Sequence, residues 1–117
     1  MRVIEIAGGK GPAEALTVVD RDDPVAGPGQ VRVRVRAAGV TRPDLLQRRG
    51  LYPPPPSASD VPGLEVAGEI DQVGAGVERW RPGDRACALL GGGGYAGVAR
   101  GGARPPRRPP GRRALGG

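Results

Sequence analysis

The sequence of 117 residues contains no histidine, no phenylalanine and a single cysteine. Without histidine, imidazole is excluded as a general base, a nucleophile and a metal ligand. With Cys87 alone, an intramolecular disulfide and a cysteine-rich zinc site are excluded as well. The aromatic residues are only Tyr52, Trp80 and Tyr95, so any core must be built from valine, leucine, isoleucine and alanine.

The sequence also lacks a long hydrophobic run. No stretch approaches the roughly 20 apolar residues that a membrane-spanning helix needs. Residues 1–5 place an acid within a short alternating segment and lack the hydrophobic region of a signal peptide. Together these absences predict a cytoplasmic protein without a membrane partner.

Acidic residues are absent from residues 97–117, and this explains the net charge of +6. Residues 1–96 contain twelve basic and twelve acidic residues, so the whole excess comes from the six arginines that follow. The segment is almost entirely glycine, alanine, arginine and proline, and it has no hydrophobic periodicity. This composition predicts a disordered basic tail that contributes nothing to a core.

The basic tail leaves one alternative to an enzyme open. A small non-enzymatic β module could use the tail arginines to bind nucleic acid weakly and in a salt-dependent way. No aromatic side chain is interleaved with these arginines to stack on bases, which disfavours nucleic acid as a partner.

Residues 30–38 show the clearest strand pattern in the sequence. Valine and alanine alternate with Arg32, Arg34 and Arg36, which predicts a strand with one dry face and one solvated face. We interpret the three arginines as the solvated face of a sheet rather than as a nucleic-acid stripe. Similar but shorter patterns predict strands over residues 2–6, 16–20, 66–73 and 86–90.

One helix is predicted, over residues 41–49. Thr41 suits the N-cap, Asp44 can reach back to it, and Gly50 can end the helix in the left-handed conformation. The following residues 51–62 contain five prolines and therefore predict a stiff surface loop, with Tyr52 at its entry. Short strands, tight glycine and proline turns and one helix indicate a small antiparallel barrel or sandwich.

Four stretches carry a family resemblance. Residues 28–35 match a P-G-x-V-x-V-x-V strand, residues 40–52 a helix and active-site rim, residues 62–77 a G-x-E-x-x-G motif, and residues 80–85 a W-x-x-G-D-x turn. In this order they resemble the N-terminal domain of the medium-chain dehydrogenase/reductase superfamily, within it the zinc-free quinone oxidoreductase branch. The resemblance implies a mainly β fold over residues 1–96: a GroES-like, partly open β-barrel with one short helix, followed by the disordered tail.

The resemblance also implies a chemistry. Zinc-dependent members place histidine where this chain has Leu64 and cysteine where it has Thr41, so no zinc is expected. The zinc-free branch transfers hydride from NADPH to a quinone or an enone, and the cofactor performs the difficult step. A full-length relative is expected to be a homodimer.

Two positions are candidate site residues by resemblance. Tyr52 would stack on a quinone or donate a hydrogen bond to it, as the catalytic residue; the alternative is that it packs against the prolines. Thr41 would contact the nicotinamide, as the cofactor-binding residue; the alternative is that it only caps the helix. Glu65 is expected to pair with an arginine, and Cys87 to fill a small apolar space.

Relatives of this family continue into a dinucleotide-binding Rossmann domain. Residues 97–117 show no such pattern, so we expect an incomplete GroES-like domain that is inactive alone. The tail composition suggests a reading frame that slips near Ala96 in a GC-rich gene, because Gly, Ala, Arg and Pro have GC-only first and second codon positions.

Overall fold

The computed structural model describes residues 1–55, 58–102 and 106–108 of the protein. Within these residues the fold is mainly β, as the sequence predicts. The elements are the strands β1 (Arg2–Ile6), β2 (Leu16–Asp20), β3 (Val31–Ala38), β4 (Glu65–Val73), β5 (Arg85–Leu89) and β6 (Val98–Gly101), and the helix α1 (Arg42–Arg48) between β3 and β4. No described helix has the length and apolar character needed to cross a membrane.

The strands form two antiparallel sheets that do not close on themselves. One sheet is the pair β1–β2, and the other has the strand order β5-β4-β3-β6. Residues 95–97 connect the two sheets: the N–H of Ile4 donates to the carbonyl of Tyr95 at 2.8 Å, and the N–H of Val35 donates to the carbonyl of Gly97 at 2.9 Å. The mainly β, partly open arrangement with one short α-helix therefore agrees with the sequence-based prediction.

The core lies on one face of the four-stranded sheet. It is an aliphatic cluster contributed by β3, β4 and β5: Val31, Val33, Val66, Ile70, Ala86 and Ala88. Trp80, in the turn before β5, packs against this cluster. The alternation in β3 thus places its valines in the core, as its period of two predicts.

The opposite face of β3 is polar, and its three arginines share two carboxylates on β4. Arg32 donates to the carboxylate of Asp71 on β4 at 2.8 Å, and Arg36 donates to Glu69 at 3.1 Å. Arg34 lies 3.8 Å from the same Asp71 carboxylate. The prediction of a solvated sheet face is confirmed, and each arginine has an acidic neighbour on β4.

Helix α1 is shorter at both ends than predicted. It spans Arg42–Arg48, with Thr41 as N-cap and Arg49 as C-cap, instead of residues 41–49. Gly50 follows with φ of 79°, the left-handed conformation that lets glycine end a helix. Thr41 therefore caps the helix as predicted, whereas the C-cap is Arg49 and Gly50 follows it outside the helix.

The start of the tail is a correction to the sequence-based prediction. Residues 98–101 form β6 and pair with β3 from Val31↔Gly101 to Arg34↔Val98. Ala99 on this strand is 3% exposed, so the segment does contribute to a buried region. Composition misled here because pairing with an existing strand supplies the order that the residues lack by propensity. The tail residues 103–105 and 109–117 lie outside the described residues.

Candidate functional site

The carboxylate of Asp44 lies at the centre of the region that the family resemblance singles out. Asp44 is 4% exposed and sits in the first turn of α1. Its Oδ2 atom accepts hydrogen bonds from the N–H of Thr41 at 2.9 Å and from the hydroxyl of Thr41 at 3.1 Å. The predicted cap is therefore present, and it holds Thr41 by two bonds.

The same carboxylate also binds two residues far along the chain. The hydroxyl of Tyr95 donates to Oδ2 at 2.9 Å, and the N–H of Gly63 donates to Oδ1 at 3.2 Å. Burial, together with the neighbouring Asp44 carboxylate, raises the pKa of the Tyr95 phenol above its ordinary value. We call Thr41, Asp44, Gly63 and Tyr95 the Asp44 hub.

The Asp44 hub sets the position of the segment before β4. Gly63 has φ of 110°, and its carbonyl accepts a hydrogen bond from the N–H of Gly94 at 3.0 Å. A Cβ at this position would meet the backbone of Gly94 and Tyr95 at less than 3 Å, so only glycine fits without a shift. Leu64 and Glu65 follow directly and are therefore held beside the start of α1.

A second set of contacts fixes the end of the proline-rich loop. The buried Gln47 side chain donates to the carbonyl of Asp60 at 3.0 Å. Arg21 donates to the carboxylate of Asp60 at 2.8 Å and to that of Glu5 at 2.7 Å. Hydrogen bonding to Arg21 lowers the pKa of the Asp60 carboxyl. Both ends of α1 are thus tied to the segment that leads into β4.

The structure describes both predicted site residues but does not test their roles. Thr41 is half-buried, and its hydroxyl is engaged by Asp44. Tyr52 lies in the loop after α1 and is 37% exposed. The catalytic role of Tyr52 and the cofactor contact of Thr41 remain predictions.

A groove of about 900 Å³ runs across the ends of β3, β4 and β5. Its lining is mostly apolar, and Glu65 and Arg107 are the two charged residues in it. The lining residues are Ala37, Ala38, Gly39, Glu65, Val66, Ala67, Cys87, Ala88, Leu89 and Arg107. Thr41 and Tyr52 are not among these residues. Cys87 lies on β5 and lines the groove, and it is half-buried and not enclosed as the small apolar filler that the sequence predicts.

The sequence reasoning identified Asp44 only as a helix cap. Its contacts with Gly63 and Tyr95 were missed, because the pattern around α1 does not indicate which distant donors reach a buried carboxylate. The sequence offers one signal for these contacts. Asp44 stands in the first turn of a helix, and Tyr95 stands in a glycine-rich turn later in the chain.

Metal ligands are not grouped in the described part of the chain. There, no three His, Cys, Asp or Glu side chains lie close enough together to hold a metal ion. By the family resemblance, the positions expected to carry zinc ligands in zinc-dependent members hold Leu64 and Thr41 in this sequence.

Comparison with known proteins identifies related sequences. Residues 27–104 match the alcohol dehydrogenase GroES-like domain family. The chain is 47% identical over 66 residues to the synaptic vesicle membrane protein VAT-1 homolog of Rattus norvegicus, covering 56% of this chain and 16% of that protein. It is 42% identical over 88 residues to a quinone oxidoreductase of Pseudomonas aeruginosa, covering 75% of this chain and 26% of that protein. The chain thus spans about a quarter or less of these relatives.

Solved structures share the same arrangement. The human synaptic vesicle membrane protein VAT-1 homolog-like protein superimposes with a TM-score of 0.88 at 28% identity, covering 98% of this chain and 37% of that one. Escherichia coli quinone oxidoreductase complexed with NADPH gives a TM-score of 0.76 at 33% identity, covering 88% of this chain and 31% of that one. The chain therefore belongs to the alcohol dehydrogenase GroES-like domain family, among the quinone oxidoreductase relatives of the medium-chain dehydrogenase/reductase superfamily.

Proposed function

We propose that this chain forms the substrate side of a zinc-free, NADPH-dependent reductase that transfers hydride to a quinone or an enone. The observation that carries the proposal is the Asp44 hub, which holds Thr41 and the residues before β4 in one rigid group. Support comes from relatives named as quinone oxidoreductases, one of them solved with NADPH.

Thr41 has the chemistry needed to contact a nicotinamide. Its hydroxyl donates its only proton to Asp44, so its oxygen can offer a ligand only an acceptor. The carboxamide of a nicotinamide carries N–H donors, which match such an acceptor. NADPH supplies the hydride when it is bound, and the proposed task of Thr41 is to orient the ring.

Tyr52 is the proposed partner of the substrate. Leu64 and Thr41 cannot act as the zinc ligands of zinc-dependent relatives, so charge that develops on a quinone oxygen needs another electrophile. The phenol of Tyr52 is 37% exposed and can donate a hydrogen bond to such an oxygen. Stacking of its ring on the flat substrate would add to this contact.

Activity has to be tested in a complete enzyme, because the chain spans only part of its relatives. A chimera would carry residues 1–101 of this chain in place of the matching part of the P. aeruginosa quinone oxidoreductase. We expect it to oxidise NADPH with benzoquinone, whereas the chain alone should not. Tyr52→Phe should lower kcat/KM about tenfold, the loss of about 1.4 kcal/mol that corresponds to one partly exposed hydrogen bond.

The cofactor contact has its own matched pair of variants. Thr41→Val removes the acceptor oxygen and should raise the KM for NADPH, whereas Thr41→Ser retains the oxygen and should leave it near the parent value. A chimera that folds and binds NADPH but reduces neither quinone nor enone would contradict the proposed function. A cytoplasmic location and a homodimeric full-length enzyme belong to the same proposal.

We also propose that the reading frame shifts beyond Arg108, later than the position near Ala96 that the composition suggests, because Arg107 still pairs with β5. The family match extends to residue 104, and β6 ends at Gly101, so a slip near Ala96 would precede residues that fit the family. Translation of the downstream nucleotides in the two other frames should open into alternating strands and helices with a glycine-rich turn. If neither frame does so, the tail belongs to the protein.

A further inference from the structure

The outer edge of β5 is occupied by the chain's own tail. β5 is the end strand of the four-stranded sheet, so its outer backbone groups have no neighbouring strand from the sheet. The N–H of Cys87 donates to the carbonyl of Arg107 at 2.7 Å, and the N–H of Arg107 donates back to the carbonyl of Cys87 at 2.7 Å. This reciprocal pair is the bonding pattern of an added antiparallel strand.

A second anchor lies one residue further along the tail. The guanidinium carbon of Arg108 stands 4.7 Å from the centroid of the Trp80 ring, within the range of a cation–π contact. The same guanidinium is 3.6 Å from the Asp84 carboxylate and donates to the carbonyl of Arg79 at 3.4 Å. Trp80 and Asp84 both belong to the turn that leads into β5, so the two anchors are adjacent.

We propose that the β5 edge and the Trp80 turn form a strand-addition site for an extended segment with consecutive arginines, and that residues 106–108 occupy it as an intramolecular strap. Backbone pairing at Cys87 supplies general affinity for an extended chain, while Trp80 and Asp84 select a cation at the next position. Because the strap covers an exposed strand edge, it also blocks pairing of β5 with another molecule. This inference does not depend on hydride transfer.

The sequence provides two built-in reporters, because Trp80 is the only tryptophan and Cys87 the only cysteine. Arg107 and Cys87 line the same groove, so we expect release of the strap to make the thiol more accessible. In the full chain, Arg107→Pro removes the N–H that bonds to Cys87, whereas Arg107→Ala removes the same charge and retains the N–H. Loss of one backbone hydrogen bond corresponds to about a fivefold change in the population of the released state.

We therefore expect Arg107→Pro to raise the rate of Cys87 labelling by a maleimide about fivefold and to increase acrylamide quenching of Trp80 fluorescence, with Arg107→Ala near the parent chain. Arg108→Ala should increase the quenching, and Arg108→Lys should do so less. A synthetic peptide with the sequence of residues 104–110, added to the Arg107→Pro chain, should reverse both changes.

Three results would overturn the proposal. The first is identical labelling and quenching for Arg107→Pro and Arg107→Ala in chains with the same far-ultraviolet circular dichroism. The second is failure of the peptide to protect Cys87. The third is parent-chain protection that increases with protein concentration, which would mean that the strap is exchanged between two copies. If Arg107→Pro fails to fold, the comparison of Arg108→Ala with Arg108→Lys tests the proposal by the same acrylamide quenching of Trp80.

Discussion

The phenol of Tyr95 donates a hydrogen bond to Asp44 across 51 residues of sequence, with the two oxygens 2.9 Å apart. This bond joins the first turn of α1 to the glycine-rich turn that precedes β6. The Asp44 carboxylate accepts the bond while it also holds Thr41 and Gly63, so a single buried charge fixes three separate segments.

Asp44→Asn should destabilise the protein strongly. The amide has the shape of the carboxylate, but its nitrogen cannot accept a hydrogen bond, so at least one buried donor loses its partner. We expect the free energy of unfolding to fall by about 3 kcal/mol, measured by urea denaturation. Asp22→Asn, on an exposed residue, is the matched control and should change stability by less than about 0.5 kcal/mol. Similar values for the two variants would contradict the hub.

Tyr95→Phe should change how stability depends on pH. The ordinary tyrosine pKa is 10.0, and the fold raises it, so the folded chain keeps the proton at a pH where the unfolded chain has lost it. The stabilisation is therefore complete below about pH 10 and declines as pH rises further, by at most about 1.4 kcal/mol per pH unit. Urea denaturation between roughly pH 8 and 11 should show a parent slope that is reduced in Tyr95→Phe and retained in Tyr52→Phe.

The two acids that pair with the β3 arginines, Asp71 and Glu69, should contribute unequally to the free energy of unfolding. Asp71 is 18% exposed at its side chain and bonds Arg32 twice, whereas the Glu69–Arg36 pair is 39% and 56% exposed. We expect Asp71→Asn to lower the free energy of unfolding by about 1–2 kcal/mol and Glu69→Gln by about 0.5 kcal/mol or less. Equal losses in urea denaturation would show that burial does not decide the strength of these pairs.

Gly68→Ala should disrupt the pairing of β3 with β4. A Cβ at Gly68 would overlap the carbonyl oxygen of Arg34, which belongs to the backbone of the neighbouring strand. We expect a loss of at least about 3 kcal/mol, because the strands must separate to admit the methyl group. Gly76→Ala is the control: φ is +82° there but no atom lies within 4 Å, so about 1 kcal/mol of backbone strain is expected. Thermal denaturation followed by circular dichroism compares the two.

Local patterns predicted much of the fold. The alternation in β3 was sufficient to predict a strand with two different faces, because its valines pack in the core and its arginines pair with acids on β4. The start of α1 at Thr41 and its end before Gly50 were predictable because they depend on residues close in sequence. β6 was missed because its order comes from pairing with β3 and not from its own glycine- and arginine-rich composition.

The candidate site was less predictable than the fold. Resemblance pointed to Thr41 and to the segment around Leu64, but both are held by the buried Asp44 carboxylate, which also accepts a hydrogen bond from Tyr95. No periodicity links these positions, because a buried carboxylate selects its donors by their place in three dimensions. The strap at Arg107 was missed for the same reason, since its bonds to β5 use backbone atoms that every residue possesses.

The pairing of Val31 with Gly101 bears on how the protein matures during synthesis. A ribosome must translate nearly the whole described chain, and release its last strand from the exit tunnel, before β3 acquires its second neighbour. Until then β3 has an uncovered flank available to chaperones or to other nascent chains. A slow codon run just after β6 would therefore give this domain time to complete its sheet before later segments emerge.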